Sequence, residues 1–456
     1  MAEWLASSNA RVNVGAGSAP ISMVDRFAWF MENTVNLNQS RIDLLEKRLE
    51  TLSKYLVDDA ETADELIPQG SHAHGTIIRP VAGRDFDVDA LVLMEYDPDI
   101  EPKEYIARLY SILRDHGTYK DMVSRNTRCV TVDYAGDFHV DLVPYVIIEG
   151  KHYITNRHTN EFENTNPEGF TEWLLDAHRA TGGHLIEAIR LHKYLRDHKG
   201  NYSCPSIILT TLLGNMVDQG YLAADHYTDL PTALVNITAE LDVYLQARPT
   251  MPVIQDPSCP ELTFNHRWDQ DKYTNFRDKM HLYSQRMQEA HDTEDDDAAV
   301  KAWQKVFGDK FITPPATDLV AMSNTQAVAK AEQFIDRDFG FTKAQHQHRF
   351  AIAGTVARKK GFRAGPLVRT GHKVHKNRVI NFAVTSSDIP EPYDIYWKVR
   401  NHGEEAELID QLRGQIFQGG KTHREHTAYH GSHYVEAYAV KDGEIVATAR
   451  QPVHVI

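Results

Sequence analysis

The sequence predicts an α+β protein in three parts: a mixed-sheet core, a helical second lobe that closes a cleft with it, and a C-terminal all-β sandwich. Three observations carry that expectation. Residues 66–94, LIPQGSHAHGTIIRPVAGRDFDVDALVLM, set a short apolar run, a Gly70-Ser71 turn and a second run led by acids at alternate positions. Between residues 166 and 307 the apolar residues recur mainly at helical spacing. From 341 onward they alternate in short runs separated by turn residues. The expected boundaries are 1–180 for the first lobe with an N-terminal bracing helix, 181–320 for the helical lobe, 321–340 for a linker and 341–456 for the β-rich tail.

Residues 1–20 are small and polar, as frayed termini are. A long helix is expected over 22–57, where Phe27, Phe30, Val35, Leu37, Ile42, Leu45, Leu49 and Leu52 recur near helical spacing and would brace the back of the sheet. Residues 65–69 and 86–94 read as strands. Residues 102–116 read as a helix with Tyr105, Leu109 and Leu113 on one stripe. A hairpin over 127–134 and 138–148 turns at Gly136-Asp137. Residues 152–165 read as polar and irregular. Asn166-Pro167 opens a helix, and 185–198 forms a second, packing Ile186, Ile189 and Leu195 while Lys193 and Arg196 project. A buried helix begins after Pro205, with Ser206 in its first turn, placed to cap or to reach a phosphate. Residues 256–265 read as a loop and 269–307 as helical, with a solvated acidic run at Glu294–Asp297. In the tail, Lys441-Asp442-Gly443 reads as a hairpin turn.

The chemistry concentrates in 66–94. A strand turns alternate side chains to one face, so Asp85, Asp87 and Asp89 share a face. Adjacent carboxylates repel unless a cation neutralises them. Hard divalent metals take oxygen ligands, and Mg²⁺ commonly combines one or two carboxylates with substrate phosphates. Gly70 lets the backbone approach a phosphate and Ser71 adds a hydroxyl. A third carboxylate, Asp141, lies inside the apolar run FHVDLVPYVII, where a lone Asp is expensive to bury. Three carboxylates on adjacent strands could hold two metals for phosphoryl or nucleotidyl transfer.

Gly70-Ser71, Gly75-Thr76 through Pro80, Asp87-Val88-Asp89, and His139-Val140-Asp141 with Pro144 together resemble the cGAS/DncV-like nucleotidyltransferases of bacterial anti-phage defence, within the polymerase-beta-like superfamily. The likeness covers most of the first 320 residues. His72 departs from it, since an aromatic residue commonly follows the Gly-Ser. Asp85 adds a second pairing, 85/87, beside 87/89; the latter is preferred because the apolar strand continues directly from Asp89. The resemblance implies a nucleotidyltransferase core with two Mg²⁺ (or Mn²⁺) ions on Asp87, Asp89 and Asp141. It further implies nucleoside triphosphates held by Gly70, Ser71, Lys193 and Ser206, and an oligonucleotide messenger read by a separately encoded effector. Lys193 matches a helix lysine that contacts the donor triphosphate in that family. Short linear chains, including DNA, or a non-catalytic nucleotide or nucleic-acid sensor on the same fold are the alternatives. A toxin that adds nucleotides to RNA or protein is a third, against which the tail argues. Tyr396-Trp397-Lys398-Val399-Arg400-Asn401, Leu412-Arg413-Gly414 and Tyr429-His430-Gly431 resemble the AGS-C sensor domain, whose ligand the motif does not imply.

The net charge of −15 argues against general duplex binding. It is uneven: residues 341–456 hold 17 Lys and Arg against 11 Asp and Glu, and 10 of the 24 histidines. Arg358, Lys359, Lys360 and Arg363 form the tail's basic run. The histidines of THREHTAYHGSH (His423, His426, His430 and His433) lack a zinc spacing, and a polar recognition loop is expected there. Cys129, Cys204 and Cys259 show neither metal spacing nor a disulfide framework, which points to free thiols in a reducing cytoplasm. No signal peptide or membrane-length apolar run is read.

Overall fold

The computed structural model describes residues 21–456 apart from 61–62, 64, 82–85, 135–137, 218–225, 316–317, 319–332, 345–347, 358–364, 377, 404–405 and 407–411. Asp85, the Gly136-Asp137 turn, residues 1–20, most of the expected linker and the basic run Arg358, Lys359, Lys360 and Arg363 therefore lie outside the described residues.

The first lobe is a seven-stranded mixed sheet of β1 (Glu65–Gln69), β2 (Phe86–Leu93), β3 (Val123–Arg125), β4 (Val130–Tyr134), β5 (Phe138–Ile148), β6 (Lys151–Asn156) and β7 (Glu161–Asn164). The order is β1-β2-β5-β4-β3, with β6 paired to β5 and β7 to β6. Only β2 and β5 pair in parallel; the other pairs are antiparallel. Alternation along β2 sends Val88, Ala90 and Val92 into the main core of this lobe. Asp87, Asp89, Leu91 and Leu93 take the other face, where Leu91 and Leu93 pack with Tyr145.

The helix expected over 22–57 is two helices serving two cores. The first, α1 (Met23–Phe30), widens into a π turn ending at Val35. The chain then runs extended at Asn36, and Asn38 caps α2 (Gln39–Ser53) by accepting from the Arg41 amide at 3.0 Å. Phe27, Phe30, Met31 and Val35 join the helical lobe's core, with the Phe27 ring 4.9 Å from that of Trp303. Leu45, Leu49 and Leu52 of α2 cover the sheet. The Asn-Leu-Asn break is what lets one apolar pattern divide between two bodies. After β1 comes the one-turn α3 (Gly70–Ala73), then α4 (Pro102–Asp115) as expected, also on the sheet's main core. Residues 152–165 are not irregular but form β6 and β7: Tyr153 and Phe162 pack against the sheet's core, and Glu163 pairs with Arg128 at 2.5 Å.

The helical lobe comprises α5 (Pro167–Ala180), α6 (Leu185–Lys199), α7 (Ser206–Asn215), α8 (Leu230–Gln246), α9 (Gln270–His291) and α10 (Asp296–Phe307). Leu174 and Ala177 of α5 pack in its core. The expected loop at 256–265 contains a small hairpin, β8 (Gln255–Asp256) with β9 (Cys259–Thr263). Its turn forms because the Asp256 carboxylate accepts from the Ser258 amide at 2.8 Å. The three cysteines are free and buried. Among the described residues no helix is long and apolar enough to cross a membrane.

The tail is a two-sheet sandwich. One sheet contains β10 (Thr342–Lys343), β13 (Lys373–Val374), β15 (Asp394–Arg400), β16 (Arg413–Gly419), β18 (Gly431–Lys441) and β19 (Glu444–Val455). The other contains β11 (Phe350–Val356), β12 (Gly365–Pro366), β14 (Val379–Ser387) and β17 (Thr422–His426). Phe382, Trp397, Val399 and Val435 meet between them. Asp442 and Gly443 both have positive φ, 52° and 81°, which closes the expected two-residue turn. Of the histidine-rich segment, His423 and His426 lie on β17 and His433 on β18, with His430 in the connection between them, and His423 bonds Glu425 at 2.6 Å. The domain begins inside the expected linker. The Gln333 amide donates to Gly414 O at 3.0 Å, its side chain accepts from the Ile416 amide at 2.7 Å, and Ile335 packs with Ile416 and Tyr438. Within the tail, Arg413 pairs with Glu425 at 2.7 Å.

Candidate active site

The parallel register puts Asp89 level with Asp141 and Asp87 level with His139. Neighbouring strands lie about 4.8 Å apart, so the Asp89 and Asp141 side chains stand side by side on one face. Asp87 is exposed, and the other two are partly buried. Burial first, then the Asp141 and Asp87 charges, push the Asp89 carboxyl up to about 6, while Arg267 and Lys193 pull the other way. Thr131, level with Asp141 on β4, donates its hydroxyl hydrogen bond to Asp141 Oδ1 and orients that carboxylate. Asp85 lies outside the described residues, and of the two described acids of β2 it is Asp89 that the register places level with Asp141.

Gly70 closes the site from the β1 side. Its φ is +67°, and a Cβ there would overlap the Asp89 carboxylate. The position therefore requires glycine twice over, for the backbone and for the space. Ser71 is half-buried, and its hydroxyl makes no hydrogen bond among the described residues. Its carbonyl accepts from the Thr76 amide at 2.8 Å, which folds the Gly75-Thr76 segment back on the turn. Arg190 Nε holds the Gly75 carbonyl at 2.6 Å.

Lys193 does not project from its helix. It is 4% exposed, and its Nζ donates to Thr76 O at 3.1 Å and Thr76 Oγ1 at 2.9 Å. Burial, then Arg196 and Arg190, lower its pKa to about 7. The neighbouring His74, stacked on Phe170 at 5.1 Å, is pushed down to about 4 by burial and by Lys193. His72, the departure from the family pattern, is likewise pushed down to about 4 by burial and is neutral at pH 7. Ser206 opens α7 without capping it; its hydroxyl accepts from Arg196 at 3.1 Å, which ties α7 to α6. Gly70, Asp87, Asp89 and Asp141 thus come together directly, Lys193 reaches the same turn through Thr76, and Ser206 is held by Arg196. Sequence alone assigns no role to Thr131 and names Thr76 only as part of the Gly75-Thr76 segment. Thr131 had a signal, since it alternates with the buried Val130 and Val132 and so takes the face away from the core, level with Asp141.

Among the described residues no three His, Cys, Asp or Glu side chains form a ready-made metal cage. A divalent cation shared with a nucleotide needs less: one or two carboxylates, with phosphate oxygens and water filling the remaining positions. Asp89 and Asp141, level across the parallel register with Asp87 on the same face, are oxygen donors of the kind such a cation takes.

The family of the Second Messenger Oligonucleotide or Dinucleotide Synthetase domain matches residues 21–177, and that of the Adenylyl/Guanylyl and SMODS C-terminal sensor domain matches residues 329–456. The chain joins a nucleotidyltransferase domain of the first family to a sensor domain of the second. The sensor match begins ahead of Gln333, in agreement with the packing of that residue on β16. Within the nucleotidyltransferase relatives, a c-di-GMP synthase of Roseivirga ehrenbergii is 31% identical over 155 residues, covering 32% of this chain and 41% of that protein. The chain thus spans less than half the length of that relative. A cyclic AMP-AMP-AMP synthase of Acinetobacter sp. is 24% identical over 249 residues, covering 53% of this chain and 71% of that protein. The solved structure of E. coli MS115-1 CdnC with ATP shares the fold, with a TM-score of 0.53 at 21% identity over 64% of this chain and 99% of that one.

Proposed function

We propose that the protein polymerises nucleoside triphosphates into an oligonucleotide second messenger, cyclic or linear, with release of pyrophosphate. The observation that carries this reading is the level pairing of Asp89 with Asp141, Asp87 on the same face and Gly70 packed against Asp89. The two curated relatives are named as synthases of cyclic oligonucleotides, which supports it. A non-catalytic role leaves three carboxylates gathered on one face without a purpose.

In this reading Ser71 holds the donor's triphosphate against the turn, Lys193 braces that turn through Thr76, and Gly70 lets the triphosphate approach. Asp87, Asp89 and Asp141 are the residues that would hold two Mg²⁺ or Mn²⁺ ions. Bound there, the ions would neutralise charge on the attacking and leaving oxygens. Asp141, fixed by Thr131, takes the proton of the attacking 3′ or 2′ hydroxyl. The new bond forms to the α-phosphorus as the bond to pyrophosphate breaks. The setting is cytoplasmic anti-phage defence, with a separately encoded effector reading the product and the sensor domain taking a ligand of its own. Mass spectrometry of the products formed from all NTPs and dNTPs with Mg²⁺ or Mn²⁺ tests this. Oligonucleotide and pyrophosphate from the wild type, lost in Asp87→Asn/Asp89→Asn, are expected. No product from folded, nucleotide-saturated protein under its activating conditions overturns it.

A further inference from the structure

We infer that Asn126 and Thr131 form a positioning relay for Asp141, which commits one of its carboxylate oxygens to the protein and turns the other toward Asp89. The inference rests on the nucleotidyltransferase reading above and adds Asn126 to it. Backbone register sets the relay up. Thr131 on β4 is level with Asp141 on β5, and Asp141 is level with Asp89 on β2. Their side chains therefore form one row on one face of the sheet. Strands β4 and β2 flank β5 on opposite sides. A donor on β4 that holds Oδ1 leaves the second oxygen on the side of β2.

The hydrogen bonds run one way along the row. Asn126 Nδ2 donates to Thr131 Oγ1 at 2.8 Å, and Thr131 Oγ1 donates to Asp141 Oδ1. An amide nitrogen only donates, and a carboxylate that binds a cation only accepts. The hydroxyl between them therefore takes from Asn126 and gives its single proton to Asp141. Buried Cys129 places its Sγ 3.8 Å from the same hydroxyl. With Asn126 in place, the hydroxyl rotor has one setting; without it, the proton can swing toward water.

Asn126 is itself held. Its backbone amide donates to Cys129 O at 2.9 Å, closing the turn between β3 and β4. The Arg157 amide, just past β6, donates to Thr127 O at 2.8 Å, and Arg128 grips both carboxylate oxygens of Glu163 on β7 at 2.5 and 2.9 Å. A purely structural role explains this row poorly. Asn126 is exposed and Thr131 and Asp141 are half-buried, so water could serve their polar atoms at little cost to the fold. Water does not fix the plane of a carboxylate. A carboxylate that holds a cation and meets an attacking hydroxyl loses rate when it turns.

Thr131→Val, Thr131→Ser, Asn126→Ala and the double variant Asn126→Ala/Thr131→Val are compared with wild type in the full chain. Three quantities are read: kcat and KM for pyrophosphate release, Mn²⁺ affinity by electron paramagnetic resonance with a non-hydrolysable triphosphate present, and Tm in EDTA. Thr131→Val should lower kcat about 10- to 100-fold with KM and Tm little changed, and should weaken Mn²⁺ binding about 3- to 10-fold. Thr131→Ser, which keeps the hydroxyl, should recover most of both. Asn126→Ala should lower kcat about 3- to 10-fold, and the double variant should be no worse than Thr131→Val, because Asn126 acts only through that hydroxyl. Wild-type kcat and Mn²⁺ affinity in Thr131→Val overturn the inference. So do additive losses in the double variant, no recovery in Thr131→Ser, or a fall in Tm that accounts for the whole effect. Wild-type protein that releases no pyrophosphate, with Mn²⁺ affinity that still drops in Thr131→Val and Asn126→Ala, would instead sink the proposed function and leave the relay standing.

Discussion

Replacing Asp89 by Asn separates what the site does to the fold from what it does for chemistry. Folded Asp89 titrates at about 6 against an ordinary 3.8, through burial first and the Asp141 and Asp87 charges next. Between those two values the folded state binds more protons than the unfolded chain. Metal-free protein therefore loses stability as pH rises from about 4 to about 6, and stays at the lower level above that. At 1.36 kcal/mol per tenfold, the gap sets a ceiling of about 3 kcal/mol. Asp89 keeps some solvent contact, so about 2 kcal/mol is expected. Asn cannot ionise. In EDTA, Asp89→Asn should melt about 4–8 °C above wild type at pH 8 and coincide with it near pH 4. Mg²⁺ with a non-hydrolysable triphosphate should raise the wild-type Tm more than the variant's, and the variant's pyrophosphate release should fall by at least about 100-fold. Calorimetric melting at matched ionic strength from pH 4 to 8 measures the first effect directly. A variant less stable than wild type at pH 8, or a gap that does not change with pH, refutes the crowding argument.

Gly70→Ala should lower stability by about 1–2 kcal/mol for the left-handed backbone and cut pyrophosphate release at least tenfold by displacing the Asp89 carboxylate; Gly117→Ala, where a Cβ meets nothing, is the matched control in denaturant melts. Lys193 titrates at about 7 against 10.5, so its folded form binds fewer protons than the unfolded chain between those values and stability rises with pH across them; Lys193→Met should flatten that rise in melts from pH 7 to 10 and weaken nucleotide binding. A chain ended at 328 should stay soluble with altered basal turnover, whereas one ended at 335 strands Gln333 and Ile335 without β16 and should aggregate more readily on size-exclusion chromatography.

Period and local chemistry settled much of this protein before any coordinates. Alternation alone puts Asp87 and Asp89 on one face of β2, because a pleated strand has no other way to point them. The helices at 102–115 and 185–199, the Asp442-Gly443 turn and the sandwich class of the tail follow from spacing and turn residues in the same way. What the chain could not disclose is whatever depends on a partner distant in sequence. The apolar stripe from Phe27 to Leu52 reads as one helix, since periodicity does not say that Phe27 meets Trp303 while Leu45 meets the sheet. Residues 152–165 look irregular because two short edge strands gain their order from β5 and from Arg128. Lys193 reads as a solvated charge on a helix, and only the packing of α6 against the Gly75-Thr76 turn buries it and lowers its pKa. Asp89 and Asp141 are 52 residues apart in the chain, and their contact is a matter of parallel register, which local sequence does not encode. The fastening of the two lobes, each with its own core, at Asn164 and Asn166 carries no local mark either.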